Sequence, residues 1–239
     1  MIPKIIHYCW FGRGEKPKLA QKCIASWRKY CPDFEIIEWN EDNCDYLSIP
    51  FTAEAYQAKK YAFVSDVMRL AVLEKYGGVY LDTDVEILRD ITPLLNDDGF
   101  IGFESDRFVA SGLVLAATAH HPVFQAMLEE YRKLHFVNPD GSLNTVGCPY
   151  LNTDVMERFG LKRNGQEQIV SGIHVYPVDY FNPLDSATGR LNKTENTYSI
   201  HWYSMSWLPK STRLKSSFMR ICRRLFGANF AKNIKKKVR

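Results

Sequence analysis

The spacing of hydrophobic and polar positions predicts an α/β chain. Short apolar runs at 4–8 and 34–39 have the length and the isoleucine or aromatic content of strands. Between them, 17–30 carries apolar residues at helical spacing and ends before a proline. This β-α-β order is typical of a mainly parallel sheet flanked by helices.

The next region, 52–81, predicts a long helix followed by a buried strand. Helical spacing covers 52–76, and we expect a break near Ser65, because Ser65 and Asp66 can cap the segment that follows. The glycine pair at 77–78 ends the helix, and 79–81 reads as a strand. Further strands are predicted at 100–103 and 111–116, with a helix over 122–134.

Length and composition fit one domain with a tail. A chain of 239 residues that is 46% hydrophobic can bury a sizeable core. We place the domain at 1–208 and the tail at 209–239. The six cysteines form no C-x-x-C pair, which argues against a zinc knuckle or a redox dithiol and favours free thiols in a reducing compartment. The first residues lack a signal-peptide pattern, and no segment has the apolar length of a membrane span, so we expect a cytoplasmic protein.

Charge is distributed unevenly along the chain. Eleven of the 31 basic residues and none of the 27 acidic residues lie after 208, so 1–208 carry a net charge of −7 against +4 for the whole chain. An acidic body argues against nucleic-acid binding. The tail combines its cations with apolar residues at helical spacing, and such a basic amphipathic helix can lie on an anionic membrane surface. The alternative is a C-terminal helix packed on the domain with a lysine-rich end.

Two aspartates follow the predicted strand at 79–81. Asp82 and Asp84 are two residues apart, so in an extended chain their carboxylates point to the same side. Ligands of open α/β sheets bind at the carboxyl ends of strands. Two hard oxygen ligands suit Mg²⁺ or Mn²⁺, which can bridge the phosphates of a nucleotide diphosphate. The plainer interpretation is that exposed aspartates merely terminate the strand.

The sequence around these aspartates resembles glycosyltransferase family 32, in the sugar-binding region that contains its DXD motif. The resemblance rests on segments 65–69 (SDVMR) and 76–84 (YGGVYLDTD). The opening 2–12 (IPKIIHYCWFG) resembles the family's first strand, and 199–207 (SIHWYSMSW) resembles its C-terminal element. The family includes Och1-type mannosyltransferases and bacterial capsule transferases and is related to large glucosylating toxins. Three motifs in the same order are far more specific than any one of them.

The resemblance implies a GT-A fold, a Rossmann-like arrangement with a mainly parallel central sheet, followed here by a helical basic tail. It also implies a divalent cation and transfer of a hexose with retained configuration. The donor is expected to be a nucleotide diphosphate sugar, with UDP-hexose favoured over GDP-mannose. The acceptor is expected to be a glycan or a lipid-linked oligosaccharide in surface polysaccharide synthesis, at the inner face of the cell membrane.

The same resemblance implies a role for each site residue. On the donor side, Cys9 and Trp10 would lie at the nucleotide base. Asp66 and Arg69 would contact the sugar, and Tyr80 would lie on the nucleotide side. Trp207, with Ser204 or Ser206, would cover the diphosphate. Asp82, Asp84 and His201 would hold the metal, and Asn152 and Asp154 would lie on the acceptor side. Asp66, Arg69, Asp82 and Asp84 are therefore the expected catalytic group.

Plainer interpretations remain for individual residues. Trp10 could be a core aromatic, Asp66 and Arg69 a surface pair, and His201 a structural histidine.

Two other functions also stay open. A haloacid-dehalogenase-type phosphatase would use Asp82 as its nucleophile, although a Thr or Val usually occupies the position of Glu86 in those enzymes. A non-catalytic peripheral membrane protein would need no metal and no nucleotide.

Overall fold

The computed structural model of the protein describes residues 1–205 and 210–226. Its strands are β1 (Ile5–Cys9), β2 (Glu35–Trp39), β3 (Gly78–Tyr80), β4 (Val85–Ile87), β5 (Gly99–Ser105), β6 (Phe108–Val109), β7 (Leu115–Ala117), β8 (Gln168–Val170), β9 (Ile173–Tyr176) and β10 (Ser199–His201). Its helices are α1 (Lys18–Tyr30), α2 (Pro50–Gln57), α3 (Tyr61–Tyr76), α4 (Pro122–Arg132), α5 (Cys148–Arg158), α6 (Val178–Phe181) and α7 (Lys210–Phe226), with a 3-10 turn at Thr92–Leu94.

The central sheet has the strand order β2-β1-β3-β7-β5-β9-β8, with β6 paired to β5. Strand β7 is antiparallel to both β3 and β5. Strands β1, β2, β3, β5 and β9 therefore run in one direction and end at the same edge. The predicted mainly parallel α/β sheet is confirmed. A second small sheet pairs β4 with β10 in antiparallel fashion.

The hydrophobic core lies on both faces of the sheet. Successive strand residues point to opposite sides, so Val79 packs in the same cluster as Trp27 of α1, whereas Tyr80 packs with Leu70 of α3. All four side chains are buried. Burying a large apolar side chain stabilises the fold by about 1.5–3 kcal/mol. The two clusters thus hold helices against each face and fix the edge where the parallel strands end.

The break in the long helical region differs from the prediction. We expected it near Ser65, but α2 ends at Gln57 and α3 begins at Tyr61. The chain turns at Lys59, whose φ is +55°. Ser65 lies inside α3 and donates its hydroxyl to the carbonyl of Tyr61 at 3.1 Å. The predicted cap was wrong because Ser65 bonds back to the preceding turn of its own helix.

The glycine pair ends α3 as predicted. Gly77 and Gly78 have φ values of +65° and +103°. A Cβ on Gly78 would lie 2.8 Å from Nε2 of His7. Glycine is required there both for the backbone conformation and for the close approach of the imidazole.

His7 connects this turn to the sheet. Its Nε2 lies 2.8 Å from the carbonyl oxygen of Gly77, and its Nδ1 lies 3.1 Å from Nε1 of Trp39. The indole can only donate, so Nδ1 accepts and Nε2 donates, as in a neutral imidazole. Burial lowers the pKa of His7 from 6.5 to about 4, although the Gly77 carbonyl opposes that shift.

The burial of His7 predicts that the folded state loses stability in acid. Because the pKa of His7 is lower in the folded state, the unfolded chain takes up the proton first. The contribution to stability is full above about pH 6.5 and is lost as the pH falls towards about 4, with a loss on the order of 3 kcal/mol. Urea unfolding at a series of pH values should show the loss in wild type and a much smaller loss in His7→Gln. Equal losses of stability in wild type and in His7→Gln would contradict this role of His7.

Candidate metal and donor site

The site lies where β1 and β3 end. Asp82 is the second residue after the end of β3, and Asp84 directly precedes β4. The pairing of β10 with β4 sets His201 opposite Val85. A histidine about 120 positions away in the sequence is thereby brought to the two aspartates. The predicted convergence of Asp82, Asp84 and His201 is what the geometry shows.

These three side chains form a metal-ligand group. One ligand atom of each lies within 4.8 Å of the others. His201 Nε2 is 3.1 Å from Oδ1 of Asp84. The other carboxylate oxygen of Asp84 accepts the backbone N–H of Ser204 at 2.7 Å, and the Asp84 carbonyl accepts the N–H of Trp202 at 3.0 Å. The loop after β10 is thus attached directly to the DXD segment.

Electrostatics make the two aspartates different. Burial raises the pKa of Asp82 to about 6, against the opposing charge of Arg69 and with help from nearby Asp84. Burial also acts on Asp84, but the charge of His201 and the hydrogen bonds from His201 and Ser204 hold its pKa well below the usual value. Burial disfavours the charged form of His201, yet Asp84 raises its pKa overall. Asp84 therefore loses its proton more readily than Asp82 does.

The group has the chemistry of a divalent cation site. Two carboxylates and one imidazole are ligands that Mg²⁺ and Mn²⁺ accept. His201 Nδ1 is buried and has no hydrogen-bond partner, and such orphaned polar atoms are uncommon in folded proteins. In the described parts of the chain, 1–205 and 210–226, this is the only group of three or more such ligands that could hold a metal.

Arg69 lies beneath the aspartates and organises them. Its guanidinium contacts Asp82 at 3.0 Å and Asp66 at 2.9 Å. The Arg69 side chain is only 3% exposed. Its Nη1 donates to the hydroxyl of Ser111 at 3.2 Å and approaches the sulfur of Cys148 at 3.7 Å. The plainer reading of Asp66 and Arg69 as a surface pair does not hold, because Arg69 is buried and the Asp66 side chain is only 14% exposed.

The residues expected at the nucleotide lie along the same edge. Cys9 is the last residue of β1 and is buried, and Trp10 follows it. Trp10 is partly exposed and donates its indole N–H to the carbonyl of Gly14 at 2.6 Å. Tyr80 is 1% exposed and donates its hydroxyl to Asp82 at 3.1 Å. Tyr80 thus orients Asp82, whereas Trp10 presents a ring at the surface.

The structure separates the two residues expected on the acceptor side. Asn152 is fully buried on α5, and its amide donates to Ser111 at 2.8 Å, next to Arg69. Asp154 is 61% exposed and forms an ion pair with Arg163 at 2.6 Å. Asn152 therefore belongs to the Arg69 network, and Asp154 lies apart from it.

Part of the predicted covering loop can be placed. Ser204 is described and holds Asp84 through its backbone. Ser206 and Trp207 lie outside the described residues, as does the predicted domain boundary at 208/209.

Sequence reasoning missed three members of the site. Ser111 and Cys148 contact Arg69, and Gly112 packs against Asp82. We predicted a strand over 111–116, but β7 begins only at Leu115, and 110–114 form a loop beside the DXD segment. The small-residue run at 110–112 is the signal that could have indicated such a close approach.

Comparison with known proteins identifies the class. Residues 17–101 match the family described as glycosyltransferase sugar-binding region containing DXD motif. The fold is similar to that of the PaToxG glycosyltransferase, with a TM-score of 0.51 and 19% identity over 66% of this chain and 69% of that chain. The GT-A fold is confirmed, and so is the resemblance to glycosyltransferase family 32.

Two relatives illustrate the family. Inositol phosphoceramide mannosyltransferase 3 of Schizosaccharomyces pombe is 29% identical over 53% of this chain and 36% of its own length. Lactosylceramide 4-alpha-galactosyltransferase of Mus musculus is 29% identical over 58% of this chain and 40% of its own length. The chain spans less than half the length of the first curated relatives it matches, at 36% to 46%.

Gly112 provides a test of how the site is packed. A Cβ at this position would overlap Oδ2 of Asp82, so Gly112→Ala must displace that carboxylate. Displacing a support of a metal ligand typically weakens metal binding roughly 10- to 100-fold. We expect Mn²⁺ affinity, measured by titration calorimetry, to fall by that factor. Gly14→Ala is the matched control, because a Cβ there meets nothing within 4 Å. Equal affinity in both variants would contradict the assigned position of Asp82.

Proposed function

We propose that the chain is a metal-dependent glycosyltransferase that moves a hexose from a nucleotide diphosphate donor to a glycan or lipid-linked oligosaccharide acceptor. The observation that carries this proposal is the Asp82, Asp84 and His201 group beside Asp66 and the buried Arg69, at the edge where the parallel strands end. UDP-hexose is the favoured donor and surface polysaccharide synthesis the favoured context. The family resemblance implies that configuration is retained, which the anomer of the product tests.

Asp82, Asp84 and His201 would hold Mn²⁺ or Mg²⁺. When bound, the cation would neutralise the charge that develops on the departing diphosphate. Asp84 suits this position because the backbone N–H of Ser204 stabilises its carboxylate, and a bound cation would replace the proton of His201 as the positive charge beside it. The backbone link from Ser204 to Asp84 also holds the loop after β10 against the DXD segment, where the diphosphate would bind. A loop fixed there would help to exclude water and limit donor hydrolysis.

Arg69 and Asp66 would position the donor sugar. The guanidinium of Arg69 uses Nη2 for both Asp66 and Asp82. It therefore sets the distance between Asp66, which would contact the sugar, and Asp82, which would contact the metal. Trp10 would stack on the base, and its bond to Gly14 limits rotation of the ring.

The two rival functions have less support. A phosphatase of the haloacid-dehalogenase type would leave the match of residues 17–101 to the glycosyltransferase sugar-binding region unexplained. A binding protein without catalysis would not require a buried carboxylate and imidazole to converge. The named relatives are transferases as well.

Removal of the metal tests the proposed function. Asp84→Asn keeps the shape of the side chain but removes its charge, so turnover should fall by at least roughly a hundredfold, the scale of deleting one preorganised electrostatic group. Donor hydrolysis and transfer from UDP-glucose, UDP-galactose and GDP-mannose give the readout. Chelation of wild type should have the same effect and added Mn²⁺ should reverse it, while His201→Ala should give a milder loss. Full activity in chelator, or normal turnover of Asp84→Asn, would overturn the proposal.

We further propose that α7 attaches the protein to an anionic membrane surface. Its apolar residues Leu214, Phe218, Ile221 and Leu225 are spaced along one stripe of the helix and are 71%, 65%, 57% and 69% exposed. The helix contains cations and no acidic residue. Cys222, one turn after Phe218, is buried, which supports contact between the edge of this stripe and the body. None of the helices within 1–205 and 210–226 is long and apolar enough to cross a bilayer.

Vesicle binding tests the role of α7. Phe218→Asp places a charge in the apolar stripe and should weaken binding to vesicles that contain phosphatidylserine by at least roughly tenfold, because a buried aromatic side chain contributes about 1.5–3 kcal/mol. Thr212→Asp adds the same charge on the opposite side of the helix and is the matched control. Binding should also weaken with added salt. If the two variants bind equally well in a flotation assay, the stripe does not contact lipid.

A further inference from the structure

A second recess opens at the same edge of the sheet, beyond the metal-ligand group. It has a volume of about 630 Å³ and lies between the end of β5 and the segment 178–192. This volume is within the usual range for a small-molecule site. Because β5 and β9 run in the same direction as β3, the recess lies at the carboxyl ends of parallel strands, where ligands of such sheets bind.

Asn182 in the wall of the recess has an unmet hydrogen bond. The residue is 5% exposed, and its amide nitrogen donates to the Glu104 carbonyl at 3.0 Å and to the Tyr203 hydroxyl at 2.7 Å. Its carbonyl oxygen is buried without a partner. An unsatisfied buried carbonyl costs about 1–3 kcal/mol. The wall therefore contains an acceptor without a partner, beside the recess where a ligand hydroxyl would lie.

The recess is also acidic. Its lining includes the carboxylates of Glu104, Asp106, Asp179 and Asp185, and no lysine, arginine or histidine lies among the described residues that line it. Asp179 accepts a hydrogen bond from the hydroxyl of Thr194, and Asp185 accepts one from the backbone N–H of Ala187. Carboxylates accept hydrogen bonds from hydroxyl groups and repel anions. The lining thus suits a neutral polyol and disfavours a phosphate.

Tyr203 links the recess to the metal-ligand group. Its ring centroid is 4.2 Å from that of His201, and its hydroxyl lies 3.3 Å from Oε1 of Glu104. A ligand in the recess would therefore be adjacent to the predicted donor site, separated from His201 by one aromatic side chain.

We propose that this recess binds the acceptor, and that the acceptor group is a neutral, hydroxyl-rich sugar rather than one that carries phosphate. That the bound sugar is the acceptor rests on the proposed function, whereas binding of a neutral sugar can be measured without turnover. It moves the acceptor side from Asp154 to Glu104, Asp106 and Asn182.

Binding measured without donor tests the proposal. Saturation-transfer NMR would use the methyl glycosides of glucose, galactose and mannose, with myo-inositol 1-phosphate as the anionic probe. We expect at least one glycoside to bind at least roughly tenfold more tightly than the inositol phosphate, because the carboxylates repel its phosphate. A repulsion of about 1.4 kcal/mol lowers the affinity tenfold. Asp106→Asn should reduce the ratio of the glycoside affinity to the inositol phosphate affinity. Inositol phosphate binding as tightly as every glycoside, or no transfer to any glycoside, would overturn the proposal.

A bulky substitution at the rim of the recess tests where the sugar binds. Ser186 lies in the lining and is exposed, so Ser186→Trp should weaken glycoside binding at least tenfold. Ser142→Trp, at another exposed serine, is the matched control. If Ser186→Trp binds the glycoside as wild type does, the sugar lies elsewhere and the proposal fails. Loss of activity in Asp84→Asn bears on the proposed function alone, since these binding measurements need neither metal nor donor.

Discussion

The buried charge of Arg69 is the constraint on which the rest of the site depends. A guanidinium that is 3% exposed is stable only if carboxylates and hydrogen-bond acceptors surround it, because leaving a buried charge unpaired costs several kcal/mol. Asp66 and Asp82 supply the opposite charge, and Ser111 accepts a further hydrogen bond. The pairing fixes α3 relative to the end of β3. It thereby fixes the separation of the residues predicted at the sugar and at the metal.

The small sheet of β4 and β10 has a different role. It carries the chain from the DXD segment and returns a C-terminal strand beside it, so that His201 and Ser204 both contact Asp84. Two hydrogen bonds and one adjacent charge keep Asp84 ionised despite its burial. The anionic ligand and the loop that would cover the diphosphate are consequently parts of one structure. A change in either is expected to affect the other.

Strand β7 separates two regions of the ligand-binding edge. It runs antiparallel to β3 and β5 and so contributes its preceding loop, with Ser111 and Gly112, to the edge where the other strands end. The metal-ligand group and Arg69 lie towards β3, and the acidic recess lies towards β5 and β9. Such a change in strand order typically creates a crevice for ligands. The proposed donor and acceptor regions occupy its two sides.

The sequence alone determined part of the secondary structure and the shared side of the two aspartates, because these depend on local patterns. Apolar spacing predicted β1, β2, β3, β5, α1 and α4, and the D-x-D spacing predicted that Asp82 and Asp84 share a side. The resemblance to family 32 supplied His201, which no local pattern distinguishes from a structural histidine. Only the tertiary structure showed that Arg69 is buried, that Ser111, Gly112 and Cys148 surround it, and that Asp154 lies apart. Those contacts join segments far apart in the sequence, and burial depends on packing rather than on residue type.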